Sequence, residues 1–248
     1  AYYGFYLKTQ LMDTIFFVEE CSSTNDEILR FLPQNQTEIL GIFTLNQTKG
    51  RGQYGNSWEN AVDKNIAFSL AVDCRAISCY NLINFCTAVF LRNFVANLTD
   101  AETKIKWPND LILNQKKISG ILIEKKKVEN QNYYIIGIGL NVLQENFENL
   151  SKAGSIFTQT GKKMNPKEIA EQLFIFLNLS FSVPQNFDEI LETFNFHLFK
   201  KNEIAVFEKN GIRQNGIIQK MDKNGFLWID LENEGLQKFF HKEIELLY

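Results

Sequence analysis

The stretch KWPNDLILNQKKISGILIE, residues 106–124, decides how the rest of the chain is interpreted. Pro108 disfavours a helical conformation at Trp107, so one extended segment ends here and a second one begins. The polar dipeptide at 114–115 stands between two apolar runs, which predicts a hairpin with its turn at these positions. A glycine within the returning strand, Gly120, indicates a place where another group approaches the backbone closely.

Two charged side chains of this hairpin indicate chemistry. Asp110 supplies a carboxylate at its start, and Lys117 supplies an ammonium group on its returning strand, close to Gly120. Together these groups predict a site for an anionic small molecule. The alternative is that Lys117, like its neighbour Lys116, is an ordinary solvated charge on a hairpin.

Length and composition limit the kind of protein to which this site belongs. The chain has 248 residues, 45% of them hydrophobic and 22% charged, which is enough for one sizeable core and a small appended module. A formal net charge of -3 gives no positive field that would favour DNA or an anionic membrane. We expect neither a signal peptide nor a membrane-spanning helix, because the most apolar windows are short and contain polar residues.

The four cysteines, Cys21, Cys74, Cys79 and Cys86, form no Cys-x-x-Cys pair, and the chain has two histidines. This pattern argues against structural zinc and favours reduced thiols that act as small core residues. We therefore expect a cytoplasmic protein.

Apolar segments at strand or helix spacing define the predicted elements. We predict strands at 14–18, 39–45, 65–72 and 133–142, and helices at 79–98, 165–181 and 187–198. Residues 151–161 are predicted to form a loop. From residue 202 onward, short strands separated by glycine-containing turns predict a small SH3-like barrel, with strands at 203–208, 211–221, 225–231 and 236–240.

The predicted fold class is therefore α+β. A mixed or antiparallel sheet packed with helices forms the first domain, residues 1–200. The small SH3-like β-barrel forms the second domain, residues 201–248, with the boundary near Lys201.

The triplet Ser23-Thr24-Asn25 has two interpretations. As capping residues, with Glu27 near the capping-box position, these side chains would begin a helix that runs to about Phe31. Alternatively, hydroxyl and amide groups gathered at the start of a helix form a hydrogen-bonding pocket for a polar ligand head. Taken alone, the triplet favours the cap.

Residues 46–58, NQTKGRGQYGNSW, form a glycine-rich segment. Three glycines in six residues allow backbone N–H groups to wrap around an anion, and Arg51 adds a guanidinium for a carboxylate or phosphate. The segment lacks the Lys-Ser or Lys-Thr of a Walker loop and the strand-to-helix setting of a dinucleotide fingerprint. The alternative is a flexible surface turn.

Gly137 and Gly139 recur at a spacing of two in the predicted strand 133–142, and Asn141 lies near its end. Residues at this spacing share a face of a strand, so the two glycines predict a smooth strip against which a flat ligand lies. Close packing of a helix would explain them as well.

Five motifs, in this order, resemble those of the biotin protein ligases (biotin–acetyl-CoA-carboxylase ligases): Ser23-Thr24-Asn25, GRGQYGNSW (50–58), KWPND (106–110), KKISGILIE (116–124) and GIGLN (137–141). Each motif is short, but their combination is very specific, and the resemblance covers essentially the whole chain. It implies a class II synthetase-like catalytic domain followed by the SH3-like barrel. The implied reaction joins biotin to ATP as biotinyl-5'-adenylate and passes the biotinyl group to a lysine of a biotin carboxyl carrier protein. The implied cofactors are ATP and Mg2+, which screens the triphosphate charge.

The resemblance also implies roles for individual residues. Those around biotin are Ser23, Thr24, Asn25, Gln47, Arg51, Gly52, Gln53, Lys117 and Gly120. Those on the ATP side are Arg51, Trp58, Asn109, Lys117 and Asn141. The implied catalytic residues are Lys117, Arg51 and Asp110. Of these, Lys117 is the cation near the reacting carboxylate, and Asp110 orients the incoming lysine or accepts its proton.

Two features depart from the usual pattern of these ligases. Gln53 and Tyr54 stand where many relatives have arginines, so the loop carries less positive charge and is expected to hold the adenylate less firmly. Bifunctional members begin with a helix-turn-helix domain, whereas only about a dozen residues precede the first predicted strand here. The expectation is a monofunctional ligase that binds no operator DNA.

Two other functions remain compatible with the sequence. Lipoate or octanoate ligases and transferases share the catalytic architecture, although KWPND together with the GRGxxGxxW pattern favours biotin. The second alternative is a non-catalytic biotin-binding or regulatory module, but binding biotin alone would not require Arg51, Lys117 and Asp110 together. The sequence indicates neither the oligomeric state nor the particular carrier protein.

Overall fold

A seven-stranded sheet is the central element of the structure, a computed structural model that describes residues 14–34, 39–59, 61–75, 80–148 and 150–248. Its strands are β1 (Ile15–Phe17), β2 (Ile39–Thr44), β3 (Asn65–Asp73), β4 (Thr103–Lys106), β5 (Asp110–Leu113), β6 (Lys116–Val128) and β7 (Gln131–Asn141). They are arranged in the order β1-β2-β3-β7-β6-β5-β4. β1 runs parallel to β2, and the other neighbouring pairs are antiparallel.

Alternation along β3 shows that the sheet is covered on both faces. Phe68, Leu70 and Val72 belong to the main hydrophobic core. Ala71 belongs to a smaller core that includes Ile28. Because successive side chains of a strand point to opposite faces, these two cores lie on opposite sides of the sheet. The strand is therefore buried along its whole length, which accounts for its nearly continuous apolar sequence.

The described residues contain five α-helices: α1 (Thr24–Glu27), α2 (Tyr80–Thr99), α3 (Ile156–Thr160), α4 (Pro166–Phe181) and α5 (Phe187–Phe196). The helices predicted at 79–98, 165–181 and 187–198 are confirmed close to their predicted bounds, while Cys79 lies outside the described residues. Asn165 and Asn186 begin α4 and α5, since each side chain accepts a hydrogen bond from a backbone N–H of the first turn.

α2 is the longest helix in the described part of the chain. By length and composition its segment Asn81–Thr99 is sufficient to cross a membrane, which the sequence-based expectation of no spanning helix did not anticipate. However, 61% of its most apolar window is buried inside the protein. The helix contacts α4, α5 and the edge of the sheet formed by β4, β5 and β6. Its apolar residues therefore contribute to a protein core.

Two segments differ from the prediction. The helix predicted to reach Phe31 consists of the four residues of α1, and 3-10 turns at Ile28–Arg30 and Leu32–Gln34 follow it. The predicted loop 151–161 contains α3. This helix forms because Ser155 and Thr158 make a reciprocal capping box, and Gly161 ends it with a φ of 72°.

A five-stranded antiparallel sheet follows the helices. Its strands are β8 (Ile204–Lys209), β9 (Ile212–Met221), β10 (Leu227–Leu231), β11 (Gly235–Phe239) and β12 (Glu245–Leu247), in the order β11-β10-β9-β8-β12. The sequence did not predict β12, because three residues give too short a pattern and the strand is defined by its pairing with β8. The two sheets and their helices confirm the α+β class. The SH3-like closure and the boundary near Lys201 stay predictions.

Direct hydrogen bonds fix the C-terminal sheet against the larger sheet and its helices. Trp107 Nε1 donates to the carbonyl oxygen of Gly225 at 3.0 Å. Asn195 of α5 donates from its amide to the Met221 carbonyl at 2.9 Å and accepts from the Met221 N–H at 2.7 Å. The C-terminal sheet is thereby held beside the KWPND turn.

Candidate functional site

A cavity of about 730 Å³ lies between the face of the central sheet, the 46–58 loop and the C-terminal sheet. Its floor consists of small residues on three neighbouring strands. In the strand register Gly139 lies opposite Gly120 on one side and Ala67 on the other, and Gly137 lies opposite Ser69. The absence of large side chains at these positions leaves space above the sheet.

Two glycines of β7 allow side chains to approach the floor closely. A Cβ atom at Gly137 would lie 2.5 Å from Asn25 Oδ1, and one at Gly139 would overlap the Trp58 ring. The neighbours of this strip are therefore the Asn25 and Trp58 side chains. Of the two sequence-based interpretations, close packing of a helix holds at Gly137, where α1 supplies Asn25, but not at Gly139, where the 46–58 loop supplies Trp58.

A group of polar residues, here called the polar corner, consists of Ser23, Thr24, Asn25, Gln47 and Ser69. The first four line the cavity, and hydrogen bonds join all of them except the Ser23 side chain. Gln47 Oε1 accepts from the Thr24 N–H at 2.9 Å and lies 3.3 Å from the Thr24 hydroxyl. The Ser69 hydroxyl lies 2.8 Å from Thr24 Oγ1 and 2.6 Å from Asn25 Oδ1. Ser23, Thr24 and Asn25 are only 3–5% exposed. The corner is thus a rigid arrangement of neutral donors and acceptors.

The polar corner changes the interpretation of the Ser23-Thr24-Asn25 triplet. Ser23 occupies the N-cap position of α1, but it makes no side-chain capping bond, so the capping prediction is wrong for this helix. The side chains of Thr24 and Asn25 instead reach Gln47, Ser69 and Glu124. These partners come from β3, β6 and the 46–58 loop, which shows that tertiary contacts, and not helix capping, determine the orientation of the triplet.

We call residues 46–58 the ligand loop. Arg51 of this loop forms a bidentate ion pair with Asp26, with N–O distances of 2.6 and 2.9 Å. Its Nη2 also lies 3.3 Å from Glu124 Oε2. The hydrogen bond from Arg51 lowers the pKa of the Asp26 carboxyl, and the same contact raises the pKa of Arg51. The guanidinium is therefore fully charged and is directed by acidic side chains at the cavity rim.

Glu124 connects the ligand loop to the polar corner. Its carboxylate accepts a hydrogen bond from the Asn25 amide at 2.9 Å and pairs with Lys126 at the same distance. Burial alone would raise the pKa of Glu124, but the hydrogen bonds from Asn25 and Lys126 and the charge of Arg51 outweigh it and lower the pKa. Glu124 stays ionised and orients the Asn25 amide, leaving Asn25 Oδ1 as its acceptor toward Ser69.

The cavity also holds an ion pair between Lys117 and Asp110, beside the floor residue Gly120. Lys117 Nζ lies 2.8 Å from Asp110 Oδ1, and Lys106 Nζ lies 3.9 Å from Asp110 Oδ2. Burial, together with the charges of Lys117 and Lys152, lowers the pKa of Lys106 even though Asp110 raises it. More than one ammonium group thus converges on one carboxylate, which makes this region suited to an incoming anion.

Lys116 and Lys117 differ clearly in their surroundings. Lys116 Nζ donates to the Ser151 carbonyl at 2.6 Å, outside the cavity. Lys117 lies in the cavity and places its ammonium 5.7 Å from the centre of the Trp58 ring. Adjacent residues of a strand point to opposite faces, which explains this separation. The alternative in which Lys117 is only a solvated charge is therefore disfavoured.

Trp58 and two asparagines occupy different places around the cavity. Trp58 lies on the glycine floor, and its Nε1 is buried without a hydrogen-bond partner among the described residues. Asn109 lines the cavity, but its amide donates to the Ile121 carbonyl at 2.7 Å and fixes the KWPND turn to β6. Asn141 is not among the cavity-lining residues, and its amide donates to the Gly154 carbonyl at 2.9 Å.

The structure brings most of the predicted site residues to one cavity: Ser23, Thr24, Asn25, Gln47, Arg51, Gly52, Gln53, Trp58, Asn109, Asp110, Lys117 and Gly120. Sequence reasoning missed Ser69, Asp26 and Glu124, which contact these residues, and the C-terminal segment 241–246, which also lines the cavity. Ser69 could have been identified from the sequence, because it is a polar residue within an otherwise apolar strand, β3.

The described residues contain no group of three or more His, Cys, Asp or Glu side chains that could hold a metal ion. Three of the cysteines, Cys21, Cys74 and Cys86, are free thiols within these ranges, and burial raises the pKa of Cys86 to about 12. Cys21 and Cys86 are buried and Cys74 packs against the main core, which agrees with the expectation that they are small core residues. Cys79 lies outside the described part of the chain.

Comparison with known proteins connects this geometry to a family. The family model described as "Biotin/lipoate A/B protein ligase family" matches residues 17–141, half of the chain. The chain is similar to the bifunctional ligase/repressor BirA of Bacillus subtilis, with 26% identity over 98% of this chain and 77% of that protein. It is also similar to the biotin--[acetyl-CoA-carboxylase] ligase of Mycobacterium tuberculosis, with 30% identity over 51% of this chain and 48% of that protein.

A similar fold is found in a solved structure, the biotin protein ligase from Aquifex aeolicus in complex with biotin and ATP. The TM-score is 0.78 at 21% sequence identity, and the alignment covers 94% of this chain and 98% of that one. The match extends over both sheets of the present structure. Since the family model covers half of the sequence, the chain belongs to the biotin/lipoate A/B protein ligase family.

Proposed function

We propose that this protein is a biotin protein ligase, which joins biotin to ATP and then transfers the biotinyl group to a lysine of a carrier protein. The observation that carries the proposal is the distribution of groups along one cavity. Asn25 of the neutral polar corner lies over Gly137 of β7, and the Lys117–Asp110 pair lies beside Gly120 of the neighbouring strand β6. A ligand with a neutral hydrogen-bonding head and an anionic tail matches this arrangement.

The polar corner suits the ureido ring of biotin, which offers both donors and acceptors. Thr24, Asn25, Gln47 and Ser69 present hydroxyl and amide groups, which provide both in return. Lipoate and octanoate have apolar heads at the same end. They would leave buried polar groups unpaired, at a cost of ~1–3 kcal/mol for each group. This contrast favours biotin over the lipoate or octanoate activities of the same family.

In the first half-reaction a biotin carboxylate oxygen forms a bond to the α-phosphorus of ATP, and the bond to pyrophosphate breaks. Negative charge gathers on the oxygens shared by the two reactants. The ammonium of Lys117 stabilises that charge once its contact with Asp110 is exchanged for contacts with the ligand. Arg51 of the ligand loop stabilises negative charge in the same way. Its guanidinium exchanges the contact with Asp26 for one with a carboxylate or phosphate oxygen of the substrates.

In the second half-reaction the carrier lysine attacks the carbonyl carbon of biotinyl-5'-adenylate, an amide bond forms and AMP leaves. Asp110 accepts a proton from the attacking amine or orients it. The ion pair with Lys117 keeps the Asp110 carboxylate in the cavity. Adenylation and transfer would therefore take place at the same position.

ATP binds in this proposal beside Trp58, whose ring lies next to Lys117. Asn109 and Asn141 support this side by fixing the KWPND turn and the segment at Gly154. Mg2+ would screen the triphosphate charge. Because no group of three metal-binding side chains occurs in the described ranges, phosphate oxygens and water would supply most of its ligands.

The proposed partner is the biotin carboxyl carrier domain of a biotin-dependent carboxylase, and the proposed location is the cytoplasm. The net charge of -3 supports the further prediction that the chain binds no operator DNA. The alternative of a non-catalytic biotin-binding module is disfavoured, because a pocket that only bound biotin would not need Lys117, Asp110 and Arg51 together around one cavity.

The proposal is tested by ATP–pyrophosphate exchange with biotin, lipoate or octanoate as the acid. We expect exchange that depends on biotin and barely responds to the other two acids. Equal exchange with lipoate would assign the chain to the lipoate branch of the family. Biotin binding without any exchange would leave the non-catalytic module as the better account.

A further inference from the structure

The ligand loop is contacted at its tip by the C-terminal domain, here defined as residues 201–248. The Tyr54 ring stacks on the His241 ring with a centroid distance of 4.5 Å and an interplanar angle of 19°. Lys242 places its Nζ 4.8 Å from the centre of the Tyr54 ring and 3.4 Å from the Tyr54 carbonyl oxygen. Both the ring and the backbone of one loop residue are therefore held by two consecutive residues of the other domain.

Tyr54 also has an unusual backbone conformation. Its φ of 57° and ψ of 35° place a non-glycine residue in the left-handed region. Such a conformation costs free energy and persists where the surroundings determine it. Tyr54 is 55% exposed, so burial in a core does not provide that constraint. The turn hydrogen bond from the Asn56 N–H to the Gln53 carbonyl spans Tyr54, and His241 and Lys242 contact Tyr54 from outside the loop.

The rest of the loop depends on where its tip is held. Gly52 N–H donates to the Asn56 carbonyl, and Trp58 N–H donates to the Gly50 carbonyl, so the loop folds back on itself as a narrow ribbon. Arg51 lies on one arm of this ribbon and Trp58 at the end of the other. Fixing the tip at Tyr54 thus fixes the position of both side chains over the cavity.

His241 is itself well positioned to act as a support. Its ring also lies 5.7 Å from the ring of Trp107, which is hydrogen-bonded to the Gly225 carbonyl. Burial lowers the pKa of His241, and the positive charges of Lys106 and Lys242 lower it further. The ring that stacks on Tyr54 is therefore neutral at neutral pH. The support reaches from the ligand loop through His241 to the KWPND turn.

We propose that Tyr54, His241 and Lys242 form an interdomain clamp through which the C-terminal domain holds the ligand loop over the cavity. The three are positioning residues, and the role of the clamp in catalysis depends on the proposed function above. Loosening the clamp weakens the binding of the anionic ends of both substrates and shortens the time for which an acyl-adenylate stays bound. The chemical step at Lys117 changes less, because Lys117 lies on β6 and not on the loop.

Limited trypsin digestion of the ligand-free protein tests the clamp without reference to any activity. The loop contains Lys49 and Arg51, which are cleavage sites for trypsin. We expect His241→Ala and Tyr54→Ala to speed cleavage at these residues several-fold. His241→Phe and Tyr54→Phe keep an aromatic pair and should restore near-wild-type cleavage. The double variant should be no faster than either single one, because both remove the same contact.

Matched controls lie in the same domain at residues that do not line the cavity. Lys238 Nζ lies 4.9 Å from the Phe226 ring, which resembles the Lys242–Tyr54 contact, and Phe240 packs its ring on Phe226 at 5.7 Å. Lys238→Met and Phe240→Ala should leave loop cleavage unchanged, while Lys242→Met should increase it. A thermal transition near that of the wild type for each variant excludes general unfolding.

A kinetic measurement then tests the consequence for function. In pyrophosphate exchange, His241→Ala should raise KM for biotin and ATP about 5- to 10-fold, the scale of one lost positioning contact, and lower kcat less. Release of bound acyl-adenylate should be faster by a similar factor. Unchanged cleavage in His241→Ala and Tyr54→Ala would overturn the clamp. Faster cleavage with no exchange in the wild type would overturn the proposed function and leave the clamp in place.

Discussion

The polar corner and the ligand loop border the same cavity, but they are built in opposite ways. The corner consists of residues that are 3–5% exposed on α1, together with partners on the sheet and at the start of the loop. The ligand loop is largely exposed, and its Arg51 and Tyr54 are held by ion-pair and ring contacts from distant parts of the chain. The polar corner is thus held by buried hydrogen bonds, while the rest of the ligand loop is held by exposed ion-pair and ring contacts.

This difference has an energetic basis. Buried polar groups that are paired with one another are costly to rearrange, so the corner recognises only a ligand that matches its hydrogen bonds. The ion pair of Arg51 with Asp26 lies at the surface, where such pairs contribute only ~0–1 kcal/mol. It is readily exchanged for a carboxylate or phosphate. Selection of the head group and capture of the charged end are therefore separate tasks.

The largest effect on activity is expected at Lys117. This residue belongs to neither region, because it lies on β6, where its ammonium faces the reacting carboxylate and phosphate in the proposed reaction. Lys117→Met should lower biotin-dependent pyrophosphate exchange ~10²-fold or more, the scale of removing one preorganised electrostatic contact. Folding should survive, since methionine has a similar length and the ammonium faces a polar cavity.

Lys116→Met is the matched control for this prediction, because the Lys116 ammonium contacts the Ser151 carbonyl outside the cavity. It should keep near-wild-type exchange. If both variants retained exchange, or both lost it together with their thermal transition, Lys117 would not be the catalytic cation.

Smaller effects, on KM, should distinguish the polar corner from the region around Trp58. Gly137→Ala places a methyl group 2.5 Å from Asn25 Oδ1 and should displace the polar corner. Gly139→Ala, two residues along the same strand, meets the Trp58 ring. We expect the first to raise KM for biotin and the second to raise KM for ATP, each by ~10-fold or more, because small misplacements of binding groups are costly.

Equilibrium binding of biotin in the absence of ATP provides the check on this pair. Gly137→Ala should weaken it, and Gly139→Ala should leave it nearly unchanged. Equal weakening by both substitutions would mean that the floor responds as one unit and that the two ends are not independent.

The smallest effect concerns the surface pair of Arg51 and Asp26. Since Arg51 lowers the pKa of Asp26, the pair stabilises the folded protein above the ordinary pKa of an aspartate. That contribution is lost as the pH falls through the lowered pKa. Because Asp26 and Arg51 are both about half exposed, the effect on stability should be small.

Asp26→Asn provides the measurement. The difference in unfolding free energy between this variant and the wild type should be small at neutral pH and should disappear in acid. It should also shrink in high salt. If the difference in unfolding free energy grew as the pH was lowered, the ion pair with Arg51 would not be the cause of the lowered pKa of Asp26.

The sequence predicted those parts of the molecule that depend on local patterns. The 106–124 hairpin is confirmed, with its turn at Asn114 and Gln115, because both the apolar runs and the turn residues are contiguous. The strand β12 was missed, since it is too short to carry a pattern of its own. Local sequence also could not predict that the Thr24 side chain contacts Ser69 and that the Asn25 side chain contacts Ser69 and Glu124.

The missed parts of the site share one physical cause. Ser69 and His241 lie outside the five motifs, and Glu124 is the last residue of one of them. Ser69 and Glu124 contact Asn25 through strand register, and His241 lines the cavity through domain packing. Their residue types carry no distinctive spacing. Such contacts depend on which strands pair and in which register, so this part of the site cannot be predicted without the fold.

The most direct test of the account is a competition in a complete transfer reaction. A biotin carboxyl carrier domain is incubated with the protein, ATP, Mg2+ and equal concentrations of biotin, lipoate and octanoate, and its intact mass is measured. We expect the addition of one biotinyl group to one lysine, dependent on ATP. Addition of a lipoyl or octanoyl group instead, or no ATP-dependent addition at all, would contradict it.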